Sequence, residues 1–145
     1  MRRHAIAAIL GLFSLALTAL PIASVSRAAA DEPSGYTVEV KDVTTKVGEH
    51  AVMLATLHIR DGYRILKYYR NRVIELSSWD DGVAFDRHMV PAELEDGALV
   101  FPIGLKATKP GRHPINGVFR VGYIEGPGEF SEVSLRLIAA VIGTP

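Results

Sequence analysis

The sequence predicts an all-β domain, an antiparallel β-sandwich of about seven to eight strands. Three observations support this prediction. Apolar and polar residues alternate with period two in several stretches after residue 30, and no stretch there keeps the 3.6-residue apolar period of a helix. Turn residues, mainly Gly, Pro and Asp-Gly pairs, separate these stretches roughly every 8–12 residues, a spacing that is typical of sandwiches.

Residues 1–30 have the pattern of a secretory signal peptide and are expected to lie outside the fold. Residues 1–3 include two arginines, residues 5–20 form an almost unbroken apolar run, and residues 28–30 are the small side chains of a cleavage site. The alternative is an uncleaved membrane anchor, although the apolar run is shorter than the roughly 20 residues that a span needs. We therefore expect a periplasmic or secreted protein with no stable membrane span after cleavage.

Composition limits what the mature chain can do. The 145 residues carry 16 basic and 16 acidic side chains, and removing residues 1–30 takes away arginines but no acid, which leaves a mildly acidic domain. This charge argues against nucleic-acid binding. The chain has no Cys, so disulfides and thiol chemistry are excluded. We expect a flexible lead over residues 31–35 and one sandwich domain over residues 36–145.

The first two predicted strands precede an Asp-Gly pair. Residues 36–43 alternate apolar and polar side chains, as a half-buried strand does. Residues 52–59 are substantially apolar on both faces, so this strand is expected in the centre of its sheet. Asp61 and Gly62 are expected to form a short turn that leads directly into a returning strand, because Gly accepts positive φ and Asp can hydrogen-bond the local backbone.

The returning segment, residues 63–76, is long for one strand. We expect a break near residues 69–71 and a second short strand over residues 72–76. Residues 83–90 are expected to contain a short strand, and residues 91–96 are expected to form an acidic loop.

The last three predicted strands are rich in apolar residues. Residues 98–107 are interrupted by Pro102, which has no N–H for a sheet ladder and therefore favours an edge position or a bulge. Residues 112–125 and 130–142 alternate apolar and polar side chains, and residues 125–129 form a tight Gly- and Pro-containing loop between them.

The order of these features resembles a known family. The likeness is carried by an Asp-Gly-Tyr turn, an aromatic and basic return, a strand with proline, a Lys-Pro-Gly turn and a final hairpin, at residues 59–63, 68–70, 98–107, 109–111, 118–123 and 130–137. They resemble the periplasmic N-terminal domain of the disulfide-transfer reductase DsbD, which implies an immunoglobulin-like sandwich. That family transfers electrons through two cysteines beside its last hairpin. Residues 122–130 contain none here, so the resemblance implies the scaffold and no redox activity.

Arginine and tyrosine are concentrated in the returning segment. The predicted partner-binding residues are Arg64, Tyr68, Tyr69, Arg70 and Arg72. Arg forms forked hydrogen bonds and Tyr offers rigid amphipathic area, so such a surface suits an envelope protein partner. The structural alternative is that the tyrosines pack while the charges follow an edge strand and discourage edge-to-edge pairing. Strand alternation would place Tyr69 on the face opposite to the other four.

The remaining candidates are a hairpin loop and two histidines. The loop is the second candidate binding site, with the residues Glu125, Gly126, Pro127, Gly128 and Glu129. His88 and His113 are the candidates for a metal site assembled in space, although no histidines have metal-motif spacing. No nucleophile motif occurs. We therefore expect a non-catalytic binding module without a cofactor, and the alternative is a periplasmic carrier of a small ligand or of copper or zinc.

Overall fold

The structure is a computed structural model that describes residues 35–145. The predicted signal peptide and nearly all of the predicted flexible lead lie outside the described residues. The described chain is all-β and forms two sheets, an immunoglobulin-like β-sandwich as the sequence predicts. Its strands are β1 Tyr36–Val40, β2 Val43–Lys46, β3 His50–Ile59, β4 Tyr63–Ile65, β5 Arg72–Ser78, β6 Val83–Phe85, β7 Val90–Pro91, β8 Glu93–Glu95, β9 Ala98–Ala107, β10 Gly111–Glu125 and β11 Glu129–Thr144.

The two sheets differ in size. The first has the order β1-β3-β9-β6, and β8 also pairs with β9. The second has the order β2-β11-β10-β5-β7, and β4 also pairs with β10. Strand β3 lies between β1 and β9, which confirms its predicted central position. All pairings in the described chain are antiparallel except one, because β2 runs parallel to β11.

The described chain has more strands than predicted, in part because predicted strands divide where the chain changes sheet. The predicted strand over residues 36–43 divides into β1 in one sheet and β2 in the other. Asp42 stands at this crossing and fixes it: one carboxylate oxygen accepts the Ala140 N–H at 2.8 Å, and the other accepts from the Arg112 guanidinium at 2.6 Å. These bonds, that to Arg112 first, hold the pKa of Asp42 below its usual value.

The Asp-Gly turn has the predicted conformation but not the predicted role. Gly62 has a φ of 88°, and the Tyr63 N–H donates to the Arg60 carbonyl at 3.1 Å. However, β3 belongs to the first sheet and β4 to the second, so the turn is a crossing between sheets and not a hairpin. Backbone signals specify a turn, whereas the partners of the two strands decide which sheet each one joins. The predicted break follows, since residues 66–71 form no strand before β5 begins.

Strand β9 shows how a sheet accommodates a proline. Residues 98–100 pair with β8 and residues 105–107 pair with β6 on the same side of β9. Pro102 lies in the gap between these two short partners, while its other neighbour β3 continues past it. The strand is therefore interior, with a local edge at the proline. The predicted loop over residues 91–96 is wrong for β8, whose Glu-Leu-Glu sequence is too short for its alternation to indicate a strand.

The core lies between the two sheets and is built mainly from β3 and β9 on one side and β5, β10 and β11 on the other. Its fully buried side chains include Met53, Leu57, Phe101, Ile103, Leu105, Val73, Leu76, Ile115, Phe119 and Leu137. Phe101 of β9 and Phe119 of β10 are both 0% exposed, and their rings meet edge to face with centroids 5.1 Å apart. This pair joins the inner strands of both sheets.

We predict that Phe119→Ala lowers the free energy of unfolding by about 3–5 kcal/mol, because it removes a buried ring and leaves a cavity. The matched control is Phe130→Ala, since this ring is 54% exposed and its loss should cost about 1 kcal/mol or less. Urea unfolding followed by tyrosine and tryptophan fluorescence measures both. Equal losses for the two variants would contradict the assignment of the core.

Candidate functional site

A groove opens between two irregular stretches at one end of the second sheet. One wall is the loop of residues 66–71 with the start of β5, and the other is the chain from residue 87 to β8. Its volume is about 720 Å³. We call it the basic groove and define it by the apolar residues Ile65, Tyr68, Met89, Ala92, Leu94 and Leu99 and the cationic residues Lys67, Arg70, Arg72 and Arg87.

The apolar part of the basic groove is unusually open to solvent. Tyr68 is 87% exposed, Met89 55% and Leu94 46%, although Leu99 beneath them is buried. Large apolar side chains that lie together and stay exposed are a common feature of interaction surfaces. The groove therefore offers an apolar surface that a partner could cover.

The cationic part has no acidic counterpart. No Asp or Glu among residues 35–145 lines the basic groove, and none of Lys67, Arg70, Arg72 and Arg87 forms an ion pair within that part of the chain. The Arg72 guanidinium donates to the Arg70 carbonyl at 2.5 Å, which fixes its direction without neutralising it. Four uncompensated cations beside an apolar floor favour an anionic, partly apolar occupant.

Asn71 holds the loop of residues 66–71 in place. Its side-chain oxygen accepts the Gly122 N–H at 2.9 Å, and its side-chain amide donates to the Leu66 carbonyl at 3.2 Å. Its backbone N–H donates to the Tyr69 carbonyl at 2.7 Å, and its carbonyl accepts the Ala92 N–H at 2.9 Å. One residue thus connects the loop to β10 and to the opposite wall, so the backbone of both walls is held in place.

The two adjacent tyrosines have different roles. The ring of Tyr69 lies on Gly122, where a Cβ would come within 2.6 Å of it, and its centroid is 6.1 Å from that of Phe130. Partial burial raises the pKa of the Tyr69 hydroxyl, and its hydrogen bond to Glu132 adds to this effect. Tyr69 is therefore a packed wall, whereas Tyr68 projects into solvent and is free to contact a partner.

The structure brings most of the sequence-predicted surface together. Tyr68, Tyr69, Arg70 and Arg72 line the basic groove, while Arg64 lines an adjoining hollow that shares Lys67, Tyr68 and Leu94 with it. The predicted assignment to alternate faces is wrong, because residues 66–71 are not extended. The second candidate, the loop between β10 and β11, is exposed and does not line the basic groove. Its first residue, Glu125, accepts a hydrogen bond from the Tyr63 hydroxyl at 3.0 Å.

Sequence reasoning missed Arg87, Met89 and Leu94, which come from the opposite wall. His88 holds this wall in place, since its Nδ1–H donates to the Leu76 carbonyl at 2.7 Å and the Leu76 N–H donates back to the His88 carbonyl at 3.3 Å. In the sequence, Arg87 and Met89 on either side of His88 look like part of an ordinary exposed loop. Only the pairing of the chain with β5 shows that these side chains face the loop.

Both ring nitrogens of His113 are engaged with protein oxygens, so it is not a free metal ligand. Nδ1 lies 3.0 Å from the Asp80 carboxylate and Nε2 lies 2.9 Å from the Lys109 carbonyl, so both nitrogens donate to oxygen acceptors. These bonds, that to Asp80 first, raise the pKa of His113, and the His113 bond lowers the pKa of Asp80. In the described part of the chain no group of three or more His, Asp or Glu side chains could hold a metal ion.

Comparisons with known proteins identify no family for the chain. No protein-family model matches, and no curated protein matches significantly. Solved structures that match include a C. elegans MSP family member (11% identity, 77% of this chain and 99% of that one, TM-score 0.39). Murine CRIg also matches, with 12% identity over 76% of this chain and 98% of that one and a TM-score of 0.39. A cohesin–dockerin complex from Clostridium thermocellum matches with 14% identity over 75% of this chain and 99% of that one and a TM-score of 0.39. Matches at these identities and TM-scores give no information on function.

We predict that Asn71→Ala disorders the basic groove and lowers the free energy of unfolding by about 1–3 kcal/mol, since it leaves the part-buried Gly122 N–H without its acceptor. Asn71→Asp, the matched variant, keeps this acceptor and loses only the bond to Leu66. Amide hydrogen exchange at Gly122 should be faster in Asn71→Ala than in Asn71→Asp. Equal protection of Gly122 in both variants would contradict the role of Asn71.

We predict that His113→Gln lowers the free energy of unfolding by about 1–3 kcal/mol at pH 6, where the bond between the charged groups is intact. Because the folded pKa of His113 lies above its usual 6.5, this contribution is complete below that pH and is lost as pH rises through the folded pKa. Because the pKa of Asp80 lies below its usual 3.8, the contribution of Asp80 to the free energy of unfolding is lost only as pH falls through that lower value.

Urea unfolding between pH 5 and 9 measures this difference between wild type and variant, which should shrink above pH about 6.5. His58→Gln, at an exposed histidine, is the substitution control and should cost less than about 0.5 kcal/mol. A difference for His113→Gln that stays constant over this range would contradict a charged His113.

Proposed function

We propose that the mature chain is an exported, non-catalytic binding module that engages a protein partner of the cell envelope through the basic groove. The observation that carries this proposal is the composition of that groove. Exposed Tyr68, Met89 and Leu94 adjoin four cations, and no described carboxylate compensates them. Arg, Tyr and Met are the side chains that binding interfaces favour.

The fixed shape of the groove supports recognition of a partner. Asn71 and His88 hold the two walls through hydrogen bonds to the backbone, and Tyr69 is packed against Gly122. A surface that is already ordered loses little conformational entropy when a partner covers it, so more of the contact energy appears as affinity.

A binding role also agrees with how the chain uses its titratable groups. His113 and Asp80 have clearly shifted pKa values, but both nitrogens of the histidine are engaged with protein oxygens and it cannot act as a base. Such a pair stabilises the fold and is not available for acid–base chemistry.

The envelope location rests on the signal-peptide pattern of residues 1–30. No helix among residues 35–145 has the length and apolar character needed to cross a bilayer. The resemblance to the N-terminal domain of the DsbD family suggests a redox or assembly component of the envelope as the partner. Without cysteines, this chain would bind such a component and not exchange electrons with it.

A carrier of a small anionic ligand is the second candidate, because the volume of the basic groove lies within the roughly 300–1,000 Å³ of small-molecule sites. A metal carrier is less well supported, since His113 has no nitrogen left for an ion. Native mass spectrometry of protein purified without an affinity tag distinguishes a carrier from a partner-binding module. A ligand mass that is lost on Arg70→Glu would favour the carrier over the partner.

We predict that Arg70→Glu with Arg72→Glu weakens binding of the partner at least about tenfold, because two attractive charges become repulsive. The partner is recovered from envelope extract with wild-type protein, identified and purified, and its affinity is then measured by calorimetry. The matched control is Lys46→Glu with Arg136→Glu, which changes the net charge equally at residues that do not line the basic groove. Equal affinity of wild type and the groove variant would refute this surface.

A further inference from the structure

We infer that the basic groove binds a short acidic peptide segment with one bulky apolar side chain, which inserts between Tyr68, Met89 and Leu94. This inference rests on the proposed function and specifies the chemistry of the partner. It follows from charge complementarity, from the direction in which the neighbouring acids point, and from the exposure of the apolar residues.

Cations from both walls of the basic groove define the anionic character of the occupant. Lys67, Arg70 and Arg72 lie on one side, and Arg87 comes from the other. Cations on both sides of one hollow raise the positive potential within it, so the hollow attracts a negatively charged group. Three of the four are arginines, whose planar guanidinium groups bind carboxylates through two parallel hydrogen bonds.

Several cations elsewhere in the described chain do have acidic partners, unlike the cations of the basic groove. Asp42, Asp80 and Glu132 each lie within 3.2 Å of a cationic side chain, namely Arg112, His113 and Arg120. Among the described residues, no carboxylate lines the basic groove or forms an ion pair with its cations, although Asp86 and Glu93 share an adjoining hollow with Arg87. The missing anions are expected from outside the chain.

Strand β8 directs its own acids away from the groove. Side chains of a strand alternate between faces, so Glu93 and Glu95 project opposite to Leu94. Leu94 lines the basic groove, whereas Glu93 lines a second hollow with His50 and Asp86, which adjoins the groove at Arg87 and Pro91. Leu94 and the cations Lys67, Arg70 and Arg72 thus face the occupant, while Arg87 also lines the hollow that contains Asp86 and Glu93.

The apolar side chain of the occupant is inferred from the exposed apolar residues of the groove, which we call its floor. Tyr68, Met89 and Leu94 are each about half exposed or more, and a side chain placed among them would remove apolar surface from water on three sides. Met adapts its shape to different neighbours, so the groove accepts Phe, Leu or Met side chains alike. A purely acidic segment would leave this surface uncovered.

Three dye-labelled hexapeptides test the inference by fluorescence anisotropy with the folded mature chain. The acidic and apolar peptide is Glu-Asp-Phe-Glu-Ser-Asp, the neutral one is Gln-Asn-Phe-Gln-Ser-Asn, and the purely acidic one is Glu-Asp-Ser-Glu-Ser-Asp. We expect the first to bind at least about tenfold more tightly than either of the others, because only it satisfies the cations and the floor together. Its affinity should fall as salt is raised.

Variants separate the two contributions. Arg70→Glu with Arg87→Glu should weaken the first peptide at least about tenfold and remove its salt dependence. Met89→Ser with Leu94→Ser should also weaken it, with its salt dependence retained. Lys46→Glu with Arg136→Glu is the matched charge control and should leave its affinity within about twofold. The neutral peptide binding as tightly as the first, or the control weakening it as much as the groove variant, would overturn the inference.

Failure of this inference differs from failure of the proposed function. If the purified partner loses affinity on Arg70→Glu with Arg72→Glu but the first peptide does not compete with it, the groove binds a partner of other chemistry and the inference is wrong. If the partner is unaffected by that variant, the proposed surface itself is wrong. Competition at micromolar to millimolar peptide concentrations, measured at low and high salt, distinguishes the two outcomes.

Discussion

The structure depends on the burial of apolar side chains between its two sheets, and Phe101 against Phe119 is the centre of that contact. β9 and β10 follow one another in the chain, yet each lies inside a different sheet. The turn after β9 therefore folds the chain over its own core, and two consecutive strands supply both halves of the aromatic pair. Pairing of β9 with the distant β3, and of β10 with β11 in the last hairpin, then completes each sheet around this contact.

The basic groove is a consequence of how the sheets end. β4 is short, residues 66–71 form no strand, and β7 and β8 are short pieces on two different sheets. Such interruptions leave backbone groups and side chains without regular neighbours, and Asn71 supplies the hydrogen bonds that a longer strand would have made. Irregular segments held on a rigid β scaffold are common positions for binding residues. The groove therefore combines a fixed framework with exposed side chains.

The distribution of charge separates stability from recognition. Asp42 and the His113–Asp80 pair connect distant parts of the chain, and Glu132 is close to both Arg120 and Tyr69. These partly shielded contacts contribute to the fold, whereas the cations of the basic groove contribute no ion pair within residues 35–145. Exposed ion pairs add little stability, so leaving these cations without partners costs the fold little. Their arrangement is better understood through what they attract.

The sequence alone determined the fold class, because period-two alternation and recurrent turn residues allow few arrangements other than stacked sheets. It also located the arginine- and tyrosine-rich segment and the break within it. Only the tertiary structure decided that the Asp61-Gly62 turn joins two sheets, that Tyr69 packs while Tyr68 is exposed, and that Arg87, Met89 and Leu94 complete the groove. A turn motif reports local backbone conformation, whereas sheet membership and the pairing of two separate walls depend on contacts between residues far apart in the chain.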